Sequence, residues 1–507
     1  MTLNEHLYAV MDDGEALSVA MIMAAVKQRG GHGVSRAAVE RVLVADESFT
    51  REGSHAKPLW RYTGPLEVAR AQVELPQLWP WQSAALLAWS QTCQGVIEAV
   101  TGTGKTRIAL AAIATVLHQG GRALVLVPGS DLLLQWEREV KALLPNARLG
   151  RLGVGGDDDL FACDVVIATA PSASRVPIDL PYDTLGLVVA DEVHRFGAET
   201  WSQALPEVFT LRLALTATFE RDDDGIGTHL RPYFGDVVFT YDFAAAAKDG
   251  VIAPFSLALA PVAFTTEEAQ AYDRAQQRVS GAYRALLAVG SFPREPKAFL
   301  QAVTVRVAEA QQTGRDTPVA ARCRDYLYWL RQRRDIAASA SNKLDALAQV
   351  CAGLTARRTL VFTDTVEQAL AAARVVNRHG LRAEVLHGEL DERTRRARMA
   401  AFRAGRTQVM VAPRVLDEGV DVPDADVAVV LSAFQTRRQM VQRLGRVVRL
   451  KADGRAATCV VLFTKGTRED PANGGYAAFL AAVEPAATDV LYATDVGQVV
   501  SQLNPVL

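Results

Sequence analysis

A chain of 507 residues exceeds what one hydrophobic core supports, so at least two large domains are expected, and 49% hydrophobic with 22% charged residues is an ordinary globular composition. A formal charge of −2 excludes coating of nucleic acid by bulk electrostatics and leaves room only for local basic surfaces. The five cysteines (Cys93, Cys163, Cys323, Cys351, Cys459) are scattered with no C-x-x-C spacing, which argues against a zinc cage or disulfide framework and for a reducing compartment.

The opening "MTLNEHLYAVMDDGE" carries acids where a secretory leader needs basic and apolar residues, and no apolar run reaches membrane-spanning length. A cytoplasmic protein without membrane contact is expected. Residues 1–65 hold helical stretches at 16–31 and 35–46, the second capped by Ser35, then two β-rich runs around a Gly/Pro turn. This order predicts a small winged helix-turn-helix domain; a plain helical extension is the alternative.

Residues 66–245 form the next expected domain. Short Val/Ile/Leu-rich runs ("GVIEAV", "RALVLVP", "DVVIATA", "LGLVVADE", "LRLALTAT") alternate with amphipathic helices such as "SDLLLQWEREVKALL". Parallel strands covered on both faces read this way, so a doubly wound α/β domain is predicted. The segment "EAVTGTGKT" (98–106) joins a strand to a helix, the setting of a phosphate-binding loop. Its residues Thr101, Gly102, Thr103, Gly104, Lys105 and Thr106 are expected around a nucleotide, with Lys105 on the β/γ-phosphates and the Thr106 hydroxyl on Mg²⁺. The adjacent acids of "LGLVVADEVH" end a strand, where one carboxylate, Asp191, suits the metal shell and the other, Glu192, suits the attacking water. A solvated turn is the plain reading of such a pair taken alone.

Residues 246–507 form the third expected domain, interrupted at 262–345 by an Ala/Arg/Gln-rich helical insertion. From residue 358 the βα alternation returns in "RTLVFTD", "RAEVLHG", "TQVMVAP", "DVAVVLS" and "ATCVVLFT", with no second phosphate loop. The stretch "QMVQRLGRVVRLK" (439–451) is basic without an acid. As a helix it places Gln442, Arg446 and Arg449 on one face and Met440, Val441, Leu444, Val447 and Val448 on the other. A solvated basic face is the ordinary outcome of such a run. The alternative is that Arg446 and Arg449 stabilise charge on a transferring phosphoryl group, while Arg438 and Lys451 remain surface charges.

In chain order, "TGTGKT", "DEVH", "LTAT", "VFTDT", "HGEL", "VLDEGVDVP" and "QRLGRVVR" resemble the motifs of superfamily 2 DExH-box helicases, most nearly their XPB-like branch, over residues 75–465. The resemblance implies two tandem RecA-like domains and an ATP-dependent DNA helicase or translocase of 3′-5′ polarity. It further implies Gln82 of "LWPWQ" (78–82) as adenine reader, and His194, Thr216 and Thr218 as couplers of ATP state to strand binding. Gly419, Asp421 and Gln442 would meet the nucleotide, and Pro128, Thr169, Thr363, His387 and Arg414 the nucleic-acid backbone. Pro413 departs from the family's usual Thr or Ser, losing a hydroxyl and an N–H. The N-terminal segment more weakly resembles winged helices of the HARE-HTH type. ATP and Mg²⁺ are the expected cofactors, and DNA, single-stranded or forked, the expected partner of a monomer, with RNA and a protein partner such as a nuclease left open. Two other functions remain: an ATP-gated DNA sensor or clamp, and a double-strand translocase that does not separate strands. The basic arm around Arg322, Arg324, Arg331, Arg333 and Arg334, interleaved with Tyr326, Tyr328 and Trp329, either touches nucleic acid or packs and solvates.

Overall fold

The computed structural model describes residues 3–11, 15–29, 34–46, 48–54, 57–62, 75–181, 184–221, 223–413, 425–432, 437–451 and 453–503. The chain divides into two compact units that meet between Asp242 and Phe243.

The first unit opens with helices α1 (Leu3–Met11), α2 (Val19–Gln28) and α3 (Arg36–Ala45), and strands β1 (Leu17–Ser18), β2 (Phe49–Ser54) and β3 (Lys57–Tyr62). The strands form an antiparallel sheet in the order β1-β3-β2. Side chains of Ser18 and Ser35 cap α2 and α3 by accepting from the backbone N–H groups of Met21 and Ala38, each satisfying a donor the helix itself leaves open. Leu7, Met11, Ile22, Val39, Leu43, Phe49 and Trp60 close a small core of their own.

Next come α4 (Pro80–Ser90), β4 (Gln94–Ala99), α5 (Lys105–His118), β5 (Arg122–Val127), α6 (Ser130–Leu143), β6 (Leu149–Gly153), β7 (Gly156–Asp157), β8 (Val165–Thr169), β9 (Gly186–Asp191), β10 (Leu211–Thr216) and β11 (Val237–Tyr241). Among the described residues they build an eight-stranded sheet ordered β11-β4-β10-β9-β5-β8-β6-β7, parallel except for the β6–β7 pair. Strands β5, β8 and β9 are buried at every position, the pattern of a sheet covered on both faces.

The second unit has a seven-stranded, wholly parallel sheet ordered β14-β15-β13-β16-β17-β12-β18. These strands are β12 (Phe255–Val262), β13 (Thr359–Thr363), β14 (Ala383–Val385), β15 (Val409–Pro413), β16 (Val427–Val430), β17 (Ala457–Thr464) and β18 (Asp489–Tyr492). The βα alternation of the sequence begins at β13, yet the sheet begins at β12. The helical arm therefore leaves a sheet strand and returns to the same sheet, and β18 adds an edge beyond it. Its helices Thr266–Ala288, Pro296–Thr313 and Pro318–Ala338 close on Leu286, Phe292, Phe299, Val303 and Cys323, a core separate from that of the sheet.

At the foot of the arm the helix Asn342–Val350 returns to the sheet carrying Lys343, whose Nζ donates to Glu469 Oε2 at 2.7 Å with both side chains almost fully buried. The same oxygen accepts from the Thr464 N–H at 3.0 Å. Burial pushes the Lys343 ammonium below its ordinary value and the Glu469 charge pulls it back up. Removing one partner leaves a buried uncompensated charge, so Lys343→Met is expected to cost about 3–5 kcal/mol in urea unfolding. Lys343→Met with Glu469→Gln, which keeps an acceptor for Thr464, should recover most of that loss. Equal stability of Lys343→Met and the parent would show the pair to be unimportant.

Candidate functional site

Parallel strands deliver all their C-terminal ends to one edge of a sheet, and the residues singled out in the first unit collect there. Adjacent β4, β10 and β9 end in Ala99, Thr216 and Asp191, and adjacent β5 and β8 end in Val127 and Thr169.

The loop 100–104 leaves β4 and enters α5 through two left-handed glycines, Gly102 at φ +86° and Gly104 at φ +83°. A Cβ on Gly104 would also stand 3.0 Å from Gln82 Nε2, so glycine is needed there for both conformation and room. Thr103 is fully buried and donates its hydroxyl to Val100 O at 2.7 Å. Thr101 Oγ1 is buried with no hydrogen-bond partner in the protein. Lys105 Nζ donates to Ala99 O at 2.7 Å and Val100 O at 3.4 Å. Thr106 stands on the first turn of α5, half-buried.

Gln82 is buried and both ends of its amide are engaged. Its Oε1 accepts from the Trp79 N–H at 2.9 Å, and its Nε2 donates to the carbonyls of Thr103 at 3.3 Å and Gly104 at 3.1 Å. In this structure Gln82 ties α4 to the loop 100–104. Trp81, beside it, stacks on Tyr241 with ring centroids 4.2 Å apart, which fixes α4 against the edge strand β11.

Asp191 is buried at the end of β9, accepting from Trp136 Nε1 at 2.9 Å and from the Glu192 N–H at 2.9 Å. Burial pushes its carboxyl above the ordinary value; the Trp136 bond and the Lys105 charge pull it back. Glu192 adopts φ +51°, ψ +46°, a conformation that costs a non-glycine residue about 1–2 kcal/mol. It turns the chain sharply out of the strand. Behind it His194 Nδ1 lies 3.5 Å from Glu192 Oε2 and 3.2 Å from Thr216 Oγ1. Thr216 gives its one hydroxyl proton to Thr218 O at 2.8 Å and accepts from the Thr218 N–H at 3.2 Å. Its remaining capacity is as an acceptor, so Nδ1 of His194 carries the proton. The carboxylate is thereby connected through His194 and Thr216 to the backbone of Thr218. Thr218 Oγ1, buried, has no hydrogen-bond partner in the protein.

Pro128 and Thr169 follow or end adjacent strands, with Thr169 Oγ1 donating to Ser172 Oγ at 2.9 Å. In the second unit Thr363, fully buried, donates to Thr365 O at 3.2 Å, and half-buried His387 has Nδ1 without a hydrogen-bond partner, 3.9 Å from Glu389. Arg414, Gly419 and Asp421 lie outside the described residues. In the helix Arg437–Val447, Met440, Val441, Leu444 and Val447 are buried as its periodicity requires, and so is Val448 just beyond it. Gln442 is buried too, whereas Arg446 and Arg449 are half-buried. Arg449 lies beyond the helix in a bridge to Ile252. Lys451 is no surface charge: it is buried 3.5 Å from Asp426, and an isolated acid on a neighbouring strand end gave no sign of that in the sequence. Sequence reasoning also passed over Arg443, which is 1% exposed with its guanidinium 4.9 Å from the ring centroid of Phe362.

Two family descriptions match in tandem: "Type III restriction enzyme, res subunit" over residues 75–221 and "Helicase conserved C-terminal domain" over 342–451. The chain carries both of these helicase-type domains. The DNA 3'-5' translocase XPB2 of Sulfurisphaera tokodaii is 29% identical to this helicase over 412 residues, covering 80% of this chain and 85% of that one. The putative DNA 3'-5' helicase Rad25 of Haloarcula marismortui is 28% identical over 386 residues, and there the match covers 74% of this chain but half of the relative. In fold the helicase is similar to yeast Dbp5 bound to RNA and ADP BeF3 (TM-score 0.52, 14% identity, covering 84% of this chain and 93% of that one). It is likewise similar to the Hef helicase domain of Pyrococcus furiosus (TM-score 0.51, 17% identity, 77% and 96%). Tandem parallel-sheet units of the RecA-like kind are thus its architecture.

Trp136 tests the electrostatics of this site. Trp136→Phe keeps a ring in the core but removes the N–H that favours ionised Asp191, so the Asp191 carboxyl should rise further. The acid limb of the ATP-turnover profile is expected to shift to higher pH. An unmoved limb in a folded variant would separate Asp191 from turnover.

Proposed function

We propose that this protein is an ATP-dependent DNA helicase or translocase that moves 3′-5′ along a strand. The observation that carries the reading is the assembly of the glycine-turned loop, Asp191 and strained Glu192 on one sheet edge, in a chain whose XPB-like relatives match across both sheets. In this reading the backbone N–H groups of 101–106 cradle the phosphates, with the orphaned Thr101 hydroxyl available to them. Lys105 exchanges its carbonyl partners for the β/γ-phosphates. Gln82, while holding the loop, borders the base.

The residues also fit Mg²⁺. The donor set is Asp191 and the Thr106 hydroxyl, hard oxygens, and among the described residues no group of three or more His, Cys, Asp or Glu forms a cage of its own. One carboxylate plus substrate oxygens is how Mg²⁺ is usually bound. When bound, it would neutralise charge on the β/γ-phosphates. A cation there also answers the charge on buried Asp191. Glu192, turned out of the strand, orients a water against the γ-phosphorus and accepts its proton as ADP leaves. Protonation of Glu192 alters its attraction to the His194 Nδ1–H, and through Thr216 this reaches the Thr218 backbone, which makes His194, Thr216 and Thr218 the coupling element. Arg446 and Arg449, from the unit without a phosphate loop, supply cations to the transferring phosphoryl group, and Gln442, Gly419 and Asp421 meet the nucleotide. Pro128, Thr169, Thr363, His387 and Arg414 are the proposed strand contacts. The N-terminal helices and antiparallel sheet act as a winged helix that selects the DNA.

ATPase rates against single-stranded, duplex and forked DNA and RNA, with fork unwinding and triplex displacement, test the reading. Lys105→Ala and Glu192→Gln are each expected to abolish turnover, the second with ATP binding retained; wild-type ATPase in either would remove the site assignment. Arg446→Ala should lower kcat by about 10³ or more with near-normal ATP and DNA affinity. Salt-sensitive loss of DNA binding with turnover rescued at saturating DNA would instead make Arg446 a surface contact.

A further inference from the structure

At the foot of the helical arm a cavity of about 240 Å³ is lined by Tyr272, Leu330, Arg333, Arg334, Ala337 and Arg468. Three arginines are among its lining residues, from two segments far apart in sequence. Arg333 and Arg334 come from the helix Pro318–Ala338, and Arg468 from the turn after β17. Like charges stay this close only where the fold holds them.

The holding contacts are explicit. Arg333 Nη1 donates to Gln276 Oε1 at 2.7 Å, from the facing arm helix. Arg334 lies 3.8 Å from Asp364 and 3.4 Å from its neighbour Asp335. The Arg468 turn is pinned by buried Glu469 on Lys343, and by Asp470 accepting from the Gly466 N–H at 2.8 Å. Arg334 is therefore largely balanced by acids. Among the described residues neither Arg333 nor Arg468 forms an ion pair with a carboxylate. Burial pushes the Arg333 guanidinium below its ordinary value, and the charge of Arg468 pushes in the same direction, against the tyrosines Tyr272 and Tyr326. Two cations thus line one hollow with no carboxylate paired to either, Arg333 held by Gln276 and Arg468 carried at an exposed position of a pinned turn.

We propose that this hollow is a phosphate-binding site, filled by a backbone phosphodiester of the bound DNA strand. Paired guanidiniums match the fork geometry of phosphate oxygens. The location indicates a strand as the source. Asp364 directly follows the last residue of β13, and Arg468 lies four residues past the end of β17, so the hollow sits on the C-terminal edge of the second sheet. On the arm above it Arg278 lies 5.7 Å from the Trp329 ring centroid, Tyr328 is 54% exposed, and Arg331 is exposed. Such a basic and aromatic surface extends a backbone grip. Whether the phosphate belongs to a strand rests on the reading of the chain as a DNA-dependent ATPase; whether the hollow binds phosphate does not.

The test uses the full chain, with Kd for a fluorescent single strand measured across a salt series, and thermal unfolding with and without inorganic phosphate. Arg333→Ala with Arg468→Ala is expected to weaken DNA binding about tenfold and to reduce the slope of log K against log salt by about one phosphate contact. Arg468→Glu, a change at an exposed position that spares the arm core, should do the same, and Arg468→Lys should restore the slope. Inorganic phosphate should raise the Tm of the parent and not of Arg468→Glu. If DNA affinity and slope are unchanged while the phosphate effect depends on Arg468, the site takes a free anion and the strand assignment falls. If neither measurement moves, the proposal is overturned. A parent that binds no DNA at all refutes the functional reading, and the phosphate measurement alone then decides the hollow.

Discussion

The constraint on which the rest depends is that parallel strands buried on both faces must end on the same side. Their backbone groups are satisfied within the sheet, their side chains are spent on the core, and the only positions left for chemistry are the connections at the C-terminal edge. In the first unit that edge carries the glycine loop after β4, Asp191 and Glu192 after β9, and the Thr216–Thr218 turn after β10. Because β10 lies between β4 and β9, a threonine on it is the neighbour of both the loop strand and the carboxylate strand. The His194–Thr216 link follows from that strand order.

The second constraint is electrostatic. Burial at a strand end pushes the Asp191 carboxyl above its ordinary value, and an indole N–H from α6 and the charge of Lys105 pull it back in part. In the second unit the buried Lys343–Glu469 pair plays the structural counterpart, joining the returning arm to the turn after β17. Each pair brings sequence-distant charges together at a point where the backbone changes direction. Misplacing either costs the desolvation of a charge, so these turns are held far more tightly than their exposed neighbours.

Much of the site was legible because its signals are local. A strand, a glycine turn and Lys-Thr opening a helix fall within nine residues, and the acids Asp191 and Glu192 end an apolar run that is itself the strand. The apolar face of Arg437–Val447 follows from its 3.6-residue period alone. What periodicity could not show is which polar residues on that helix turn inward. Gln442 and Arg443 are buried and Arg446 is only half-buried; for Arg443 the inward place is provided by Phe362 on β13, whose ring lies against its guanidinium. Likewise β12 was hidden by the arm that follows it: a strand separated from its sheet by nearly a hundred residues loses the βα rhythm by which the others were recognised.

The sequence by itself determined the α/β class, the glycine-turned loop before α5, the paired acids and the existence of a basic segment near 440, since each is a short-range pattern with its own backbone requirement. The tertiary structure decided the partners. It placed Gln82 on the carbonyls of the loop, protonated Nδ1 of His194, withdrew Lys451 to Asp426, and gathered Arg333, Arg334 and Arg468 around one hollow. Each of these depends on which strands lie side by side and where a chain returns. Distances across a sheet or from an arm to its base are set by packing, and no window of neighbouring residues contains them.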